Sequence, residues 1–263
     1  MKIFDSSSWV IRHFYQHVPV DKAFASLFNH DKAKSVRDWF YFLEDQGMLP
    51  LSRKTKRDWI KWRKSLNKEE LTTFLLALKK DFSGPDADVF LFPLNQAHQR
   101  IMKELGGKNG CSFPSHILLF WKDTLPVVEQ KAVLLHEYHH VARLYYQEVN
   151  EGTISLLESM IMEGLAEWEV QTRLGSACLA PWTSLYNENE LLTWWEKVFR
   201  NNIHLKGRAY HYPFLYGGEK GLPPLIGYQL GYYLVQSYMK DKGGQSSLTM
   251  LKTSAEHFLL EKS

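Results

Sequence analysis

Cysteine is scarce in this chain: Cys111 and Cys178 stand against eleven histidines in 263 residues. Two thiols with no C-x-x-C spacing exclude a disulfide scaffold and an all-cysteine zinc site, and they fit a reducing compartment. Any metal must therefore be held mainly by His and carboxylate. Long apolar runs are also missing. Nothing approaches the roughly eighteen consecutive apolar residues of a membrane span. The opening MKIFDSSSWVIRHFYQH lacks both an uninterrupted apolar core and a small-residue cleavage site, so no signal peptide is expected and the reading is a soluble cytoplasmic protein. A dominant charge is absent too. Lys and Arg number 32 against 29 Asp and Glu, and a net +3 is too small to argue for a nucleic-acid partner.

Apolar residues, by contrast, make up 44% of the chain and aromatics 14%, with nine Trp, which is enough for a sizeable core. Helical spacing marks the first 80 or so residues, through Trp39, Phe40, Phe42 and Leu43 and again through Leu71, Phe74, Leu75 and Leu78. Ser83-Gly84-Pro85-Asp86 combines both major helix breakers and is the best internal boundary, giving a helical N-terminal region (1–85) and a catalytic region (86–263). Beyond it, Val89–Phe92 and Ile117–Trp121 read as buried strands, with Gly106–Gly110 as a loop between them. Helices are expected over Val127–Gln147, which contains no Gly or Pro, and over Thr153–Leu174, ended by Gly175. Further helices are expected over Asn189–Arg200, Leu225–Lys240 and Ser246–Leu260. The stretch Asn201–Pro224 holds four glycines and three prolines and reads as a long, functional loop. The fold class expected is α+β, mainly helical, with a small sheet.

The chemistry concentrates in Leu134-Leu135-His136-Glu137-Tyr138-His139-His140-Val141. In His-Glu-x-x-His, the two histidines lie one turn apart on one helical face and can converge on a metal, and Glu137 can reach a water held there. Random placement yields about 0.03 such matches per chain, so context has to decide. Two histidines need a third protein ligand if a water is to occupy the fourth position. The next helix supplies it in Met162-Glu163-Gly164-Leu165-Ala166-Glu167, where Glu163 and Glu167 again share a face. Glu163 is assigned as the third ligand and Glu167 as the carboxylate that orients a ligand histidine through its other ring nitrogen. Gly164, costly mid-helix by about 1 kcal/mol, implies close helix packing, either near the metal or elsewhere. His139, three residues after His136, is an alternative ligand or else a buried histidine. The expected cofactor is one Zn2+ per chain.

His136-Glu137-x-x-His140 followed by Glu163-Gly-Leu-Ala-Glu167 resembles the gluzincin branch of zinc metallopeptidases, whose third ligand is a Glu on a later helix. More narrowly, the chain resembles an uncharacterised bacterial family of predicted Zn-dependent proteases. The likeness rests on its size, the HEYHH form, EGLAE and the later Gly-Tyr-x-x-Gly-Tyr segment. The resemblance implies a zincin-like metalloprotease fold and a hydrolase acting on a peptide or protein substrate. Ile226-Gly227-Tyr228-Gln229-Leu230-Gly231-Tyr232-Tyr233 is similar to the helix that carries a catalytic tyrosine in thimet-oligopeptidase-type gluzincins. Tyr228 is the first candidate for the donor to the oxyanion, with His211 and Tyr216 as alternatives. The resemblance also implies an edge strand that holds extended substrate, placed at His116–Trp121.

Glu137 is read as the general base, taking a proton from the metal-held water and returning it to the leaving nitrogen. Two other readings remain open: an interaction protein with a structural zinc, and a zinc hydrolase of non-peptide amides. The basic run Arg53–Lys64 carries seven Lys and Arg with Trp59 and Trp62, and reads as a solvated helix face with its tryptophans buried.

Overall fold

Two apolar runs, DVFLFP and HILLFW, are too uniformly apolar to alternate between core and solvent, and so they need cover on both faces, as in the interior of a sheet. In the computed structural model, which describes residues 1–218 and 221–260, they are the two central strands of one four-stranded mixed sheet in a mainly helical α+β protein. Backbone contacts divide the chain into two units, Met1–Lys79 with Pro85–Tyr138, and Lys80–Gly84 with His139–Ser263.

The first unit opens with β1 (Ile3–Asp5), α1 (Ser6–Tyr15), α2 (Val20–Ala23), α3 (Ala25–Phe28), α4 (Val36–Asp45) and α5 (Lys56–Arg63). It continues through α6 (Lys68–Phe82), β2 (Asp88–Pro93), α7 (Gln99–Glu104), β3 (Lys108–Phe113) and β4 (His116–Trp121) into α8 (Val127–Gln147). Local chemistry sets several of these starts. Asp5 caps α1 by accepting from the Ser7 N–H, and Ser35 and Asp38 form a reciprocal capping box on α4. The sheet order is β1-β2-β4-β3, with β1, β2 and β4 parallel and β3 antiparallel to β4. Trp9, Phe24, Trp39, Trp59, Phe90 and Phe120 are among the buried residues of its core. Both tryptophans of the basic run are buried, and the Trp62 indole donates to the Trp121 carbonyl.

Two expectations change here. His116–Trp121 is an interior strand with β2 on one side and β3 on the other, so its backbone is already paired and it is not the edge. The edges are β1 and β3, and β3 begins at Lys108 inside the stretch read as a loop. Its glycine content hid it, because a strand needs backbone hydrogen bonds more than it needs β-branched side chains when its partner is already in place.

In the second unit, α9 (Leu156–Leu174) starts at Ser155, whose hydroxyl accepts from the Glu158 N–H, and stops at Gly175, where φ is +91°. It is followed by α10 (Glu188–Trp194), which continues as a π-helical turn over Trp195–Phe199, then α11 (Arg208–Tyr216), α12 (Ile226–Lys242) and α13 (Ser247–Lys252). The expected long loop is thus broken by α11, which tolerates Pro213 in its second turn. Glu219 and Lys220 of that stretch lie outside the described residues. The expected helix Ser246–Leu260 is shorter, ending at Lys252 before a 3-10 turn, Ala255–Phe258.

Close packing of α9 on α12 explains Gly164. A Cβ added there would collide with the Gly231 carbonyl oxygen, and one added at Gly231 would collide with that of Met160. Leu157, Ile161, Leu165, Leu230 and Leu234 fill the rest of this core. Fully buried Arg143 forks onto Glu158 at 2.7 and 2.8 Å and also donates to the carbonyls of Met250 and Thr253, tying α8 and α9 to the end of α13. Among the described residues no helix is long and apolar enough to cross a membrane.

Candidate metal centre

With no helix breaker between Val127 and Gln147, α8 runs unbroken through the motif and stacks His136 above His140. His136, Glu137 and His140 can each offer one ligand atom, and the three atoms lie within 4.8 Å of one another. His136 is half-buried and the other two are buried. Glu137 is fixed from the sheet. The Ser112 hydroxyl on β3 donates to its carboxylate and lies 2.8 Å from its carbonyl oxygen. Gly110, two residues earlier on the same face of β3, leaves the room that the Glu137 side chain fills, since a Cβ there would overlap it. Neither Ser112 nor Gly110 stood out in the sequence; a Gly-x-Ser pair of alternate residues in a strand was the only signal.

Glu163 on α9 points its Oε2 at His140 Nε2 across 3.3 Å. A direct ion pair of this kind closes to about 2.8 Å. Two ligands of one tetrahedral zinc, each at about 2.0–2.2 Å from it, sit about 3.3 Å apart. The spacing, the burial and the nitrogen and oxygen donors all fit such an ion.

The remaining candidates spread around these residues. Glu167 is buried one turn beyond Glu163 and accepts from the Ala180 N–H at 2.9 Å. His139 is fully buried, edge-on to Phe82 at 5.6 Å, and stands outside the three-residue cluster. Tyr228 lies at the start of α12 between Trp182 and Tyr216, each ring 5.2 Å away. Burial pushes its hydroxyl well above the usual tyrosine range, and the nearby charge of Glu163 and a hydrogen bond with Tyr216 add to this. His211 on α11 is fully buried with its Nε2 2.9 Å from the Ser159 hydroxyl, one turn before Glu163, and burial lowers its pKa. The Nε2 of His211 is thus engaged by Ser159, whereas the hydroxyl of Tyr228 feels the charge of Glu163.

Arg208, which the sequence reading passed over, belongs to the same neighbourhood. Burial opposes its charge, yet Glu163, Tyr228, Tyr216 and Glu151 together hold its pKa above the ordinary value. No motif flags it; only the fold of α11 against α9 brings it there.

Two curated relatives are similar to part of this chain. It is 34% identical over 182 residues to the uncharacterized protein YjaZ of Bacillus subtilis (strain 168), covering 69% of each chain. It is 30% identical over 117 residues to the uncharacterized protein YjfC of the same organism, covering 41% of this chain and 39% of the relative. No solved structure matches it. Residues 68–260, which contain α8, α9 and α12 entire, match the family model described as "Predicted Zn-dependent protease (DUF2268)", and the chain belongs to that family.

Proposed function

We propose that the protein is a zinc-dependent peptidase of zincin-like fold in which His136, His140 and Glu163 hold one zinc ion and Glu137 is the general base. The observation that carries this reading is the buried Glu137 carboxylate, held by Ser112 beside two ring nitrogens on one helical face. A structural zinc site closes its fourth position with a ligand and has no use for such a carboxylate. Glu137 would take the proton of the attacking water and deliver it to the leaving nitrogen. When bound, zinc supplies a water acidified toward a pKa of about 7 and a positive charge for the carbonyl oxygen. Tyr228, whose raised pKa keeps its proton in place, serves as a hydrogen-bond donor to that oxygen. Glu167 stands one turn from Glu163 as the carboxylate that orients a ligand histidine.

Substrate is assigned to the free edge of β3. In the antiparallel pair with β4, alternate residues turn their N–H and C=O groups away from the partner. The Gly107 carbonyl accepts from Lys122, which fixes the alternation and leaves Lys108, Gly110 and Ser112 with outward-facing groups. An extended peptide added there would lie beside the residue that orients Glu137.

The test compares wild type with Glu137→Gln on a mixed peptide library, with zinc measured in both. Wild type is expected to cleave and Glu137→Gln to lose at least about 10²-fold in rate with zinc retained. Equal cleavage by the two proteins defeats the assignment of the base. Retained zinc with no cleavage by wild type defeats the peptidase reading.

A further inference from the structure

Arg53, Arg57, Lys61 and Lys64 follow one another at intervals of four, four and three, and so line one face of α5 and the turns at its ends, opposite the buried Trp59 and Trp62. All four are exposed. Asp123 pairs with Lys61 at 2.7 Å, but among the described residues Arg53, Arg57 and Lys64 form no ion pair. Asp58, the one acid between Gln46 and Lys68, lies on the flank near Lys61. Beside α5, α1 runs antiparallel. Its cap Asp5 meets Arg63 at 3.1 Å at one end, and at the other Lys56 Nζ stands 4.8 Å from the centre of the Tyr15 ring. Tyr15 is 50% exposed, and Arg12, one turn before it, is exposed and likewise without an ion pair. The two helices thus form a layer whose solvent side carries charge of one sign.

The fold gains nothing from this arrangement. Lys56 and Arg57 occupy the first turn of α5, where the helix dipole disfavours cations, and Arg57, Lys61 and Lys64 are like charges at the spacing of helical neighbours. The next helix is built the other way. On α6, Glu69 and Glu70 fill the first turn, Glu70 meets Lys131 at 2.6 Å, and Lys79 meets Asp86 at 2.6 Å. A basic face with no acid to neutralise it is complementary to an extended negative surface. Single-stranded nucleic acid is a poor fit, because it needs exposed rings on which bases stack. Both tryptophans of the run are buried, and the Trp62 indole already donates to the Trp121 carbonyl. A duplex read in its groove is a poor fit too, since α5 is flanked by α1 along its length and cannot enter a groove alone. A bilayer surface asks only for a broad face of Lys and Arg, and it accepts an exposed Tyr at headgroup level.

We propose that the face formed by α1 and α5 binds the surface of an anionic phospholipid bilayer. Arg53, Arg57 and Lys64 meet the headgroup phosphates, with Arg12 and Tyr15 extending the contact along α1. The attachment is peripheral, reversible and sensitive to salt, with no segment crossing the bilayer. It is independent of the peptidase reading, because none of these residues belongs to the candidate metal centre.

The test is co-sedimentation of the full chain with vesicles of phosphatidylcholine alone or with about one-third phosphatidylglycerol, at about 0.05 M and about 0.5 M salt. Wild type is expected to partition onto the mixed vesicles at low salt, to leave them at high salt, and to ignore phosphatidylcholine alone. Combined Arg53→Gln, Arg57→Gln and Lys64→Gln should weaken partition about 10²-fold, at roughly fivefold for each basic residue removed. Lys22→Gln, Lys32→Gln and Lys103→Gln together make the same change of net charge at exposed positions elsewhere in the unit, and should weaken it no more than about twofold. Combined Arg53→Lys and Arg57→Lys keeps the charge and should bind as wild type does. Absence of wild-type partition overturns the proposal, and so does equal weakening by the two glutamine triples, which would make net charge the whole effect. Loss of binding in the lysine pair also overturns it, since a bilayer surface responds to charge and not to the guanidinium fork. A short DNA duplex is the competing arm: duplex bound at lower protein concentration than the vesicles, and released by the first triple, gives the face to nucleic acid instead.

Discussion

Gly110 and Gly231 both occupy positions where a Cβ has no room, yet they face different kinds of neighbour. On β3 of the first unit, Gly110 faces the Glu137 side chain. On α12 of the second, Gly231 faces the Met160 backbone carbonyl of α9. A side chain can swing away at the cost of its own position, whereas a carbonyl inside a helix can move only if the helix does. The sheet unit thus holds its chemical group with contacts that can be removed without unfolding anything. The helical unit holds Glu163 and Tyr228 by backbone packing that cannot be loosened separately.

The sharpest way to break this contrast is to add the same methyl group at both places. Gly231→Ala is expected to cost about 3 kcal/mol of stability, because the overlap exceeds the roughly 1 kcal/mol that Ala gains over Gly in a helix. Gly110→Ala should cost less than about 1 kcal/mol, since Ala is tolerated in a strand and Glu137 can turn aside. The displaced Glu137 should nevertheless slow peptide cleavage strongly. Urea denaturation midpoints and cleavage rates on both variants decide the matter. Equal destabilisation by the two substitutions would remove the distinction between the units.

Next in size is Tyr228→Phe. The ring is clamped between Trp182 and Tyr216, so removing only the hydroxyl leaves the packing intact. Turnover should fall about 10²-fold, or about 2.7 kcal/mol, with zinc content and thermal midpoint unchanged. Unchanged turnover takes Tyr228 out of the mechanism and returns it to the core. An effect on stability of comparable size would show that the two functions of this helix, packing and chemistry, are not separable.

The same division explains what could be read from the sequence. Features set by neighbours along the chain were legible: α8 from its breaker-free run, His136 and His140 from their i,i+4 spacing, α9 from its end at Gly175, β2 and β4 from their uniform apolarity. Features set by distant pairing were not. β1 is three residues long and exists because it lies parallel to a strand about 85 residues away. β3 was hidden by its glycine, although that glycine is there to admit Glu137. The resemblance put the substrate-holding edge on β4, and local apolarity could not correct it, because it does not say which strand lies outermost. Glycines and Pro213 pointed to a loop where α11 forms, since α11 is held by its packing on α9 and α12 and not by propensity. Arg208 is invisible in sequence for the same reason.

A third prediction probes the sheet unit through pH. His116 is buried on β4, stacked on Phe113 at 4.4 Å, and its pKa falls to about 4, mainly through burial and then through the neighbouring His30 and Lys34, with Asp31 opposing. Its folded pKa lies below the unfolded value of about 6.5, so the fold prefers the neutral ring. The associated stability is complete above pH 6.5 and is lost as pH falls from there toward 4, about 3 kcal/mol in all. Denaturation midpoints measured across that window should decline, and His116→Leu should flatten the decline. A slope unchanged by the substitution assigns the acid sensitivity elsewhere.

Ser112→Ala should have the smallest effect and bears most directly on how the sheet unit serves the chemistry. Ser112 is half-exposed on an edge strand, and its hydroxyl contributes one hydrogen bond to a carboxylate already packed against Gly110. Losing a single bond of this type costs about 1 kcal/mol where the partner can find water, so the fold should be barely affected. Glu137 would keep its place on α8 but sample more orientations, and a base that is correctly aimed less often works more slowly. The expected result is about a tenfold fall in turnover with KM and zinc content unchanged, partly restored in Ser112→Thr, which keeps the hydroxyl. A rise in KM or a loss of zinc instead of a fall in turnover would mean that β3 positions the substrate or the metal and not Glu137. No change in any of the three would show that α8 aims Glu137 unaided, so that the strand's share in the site is space and not direction.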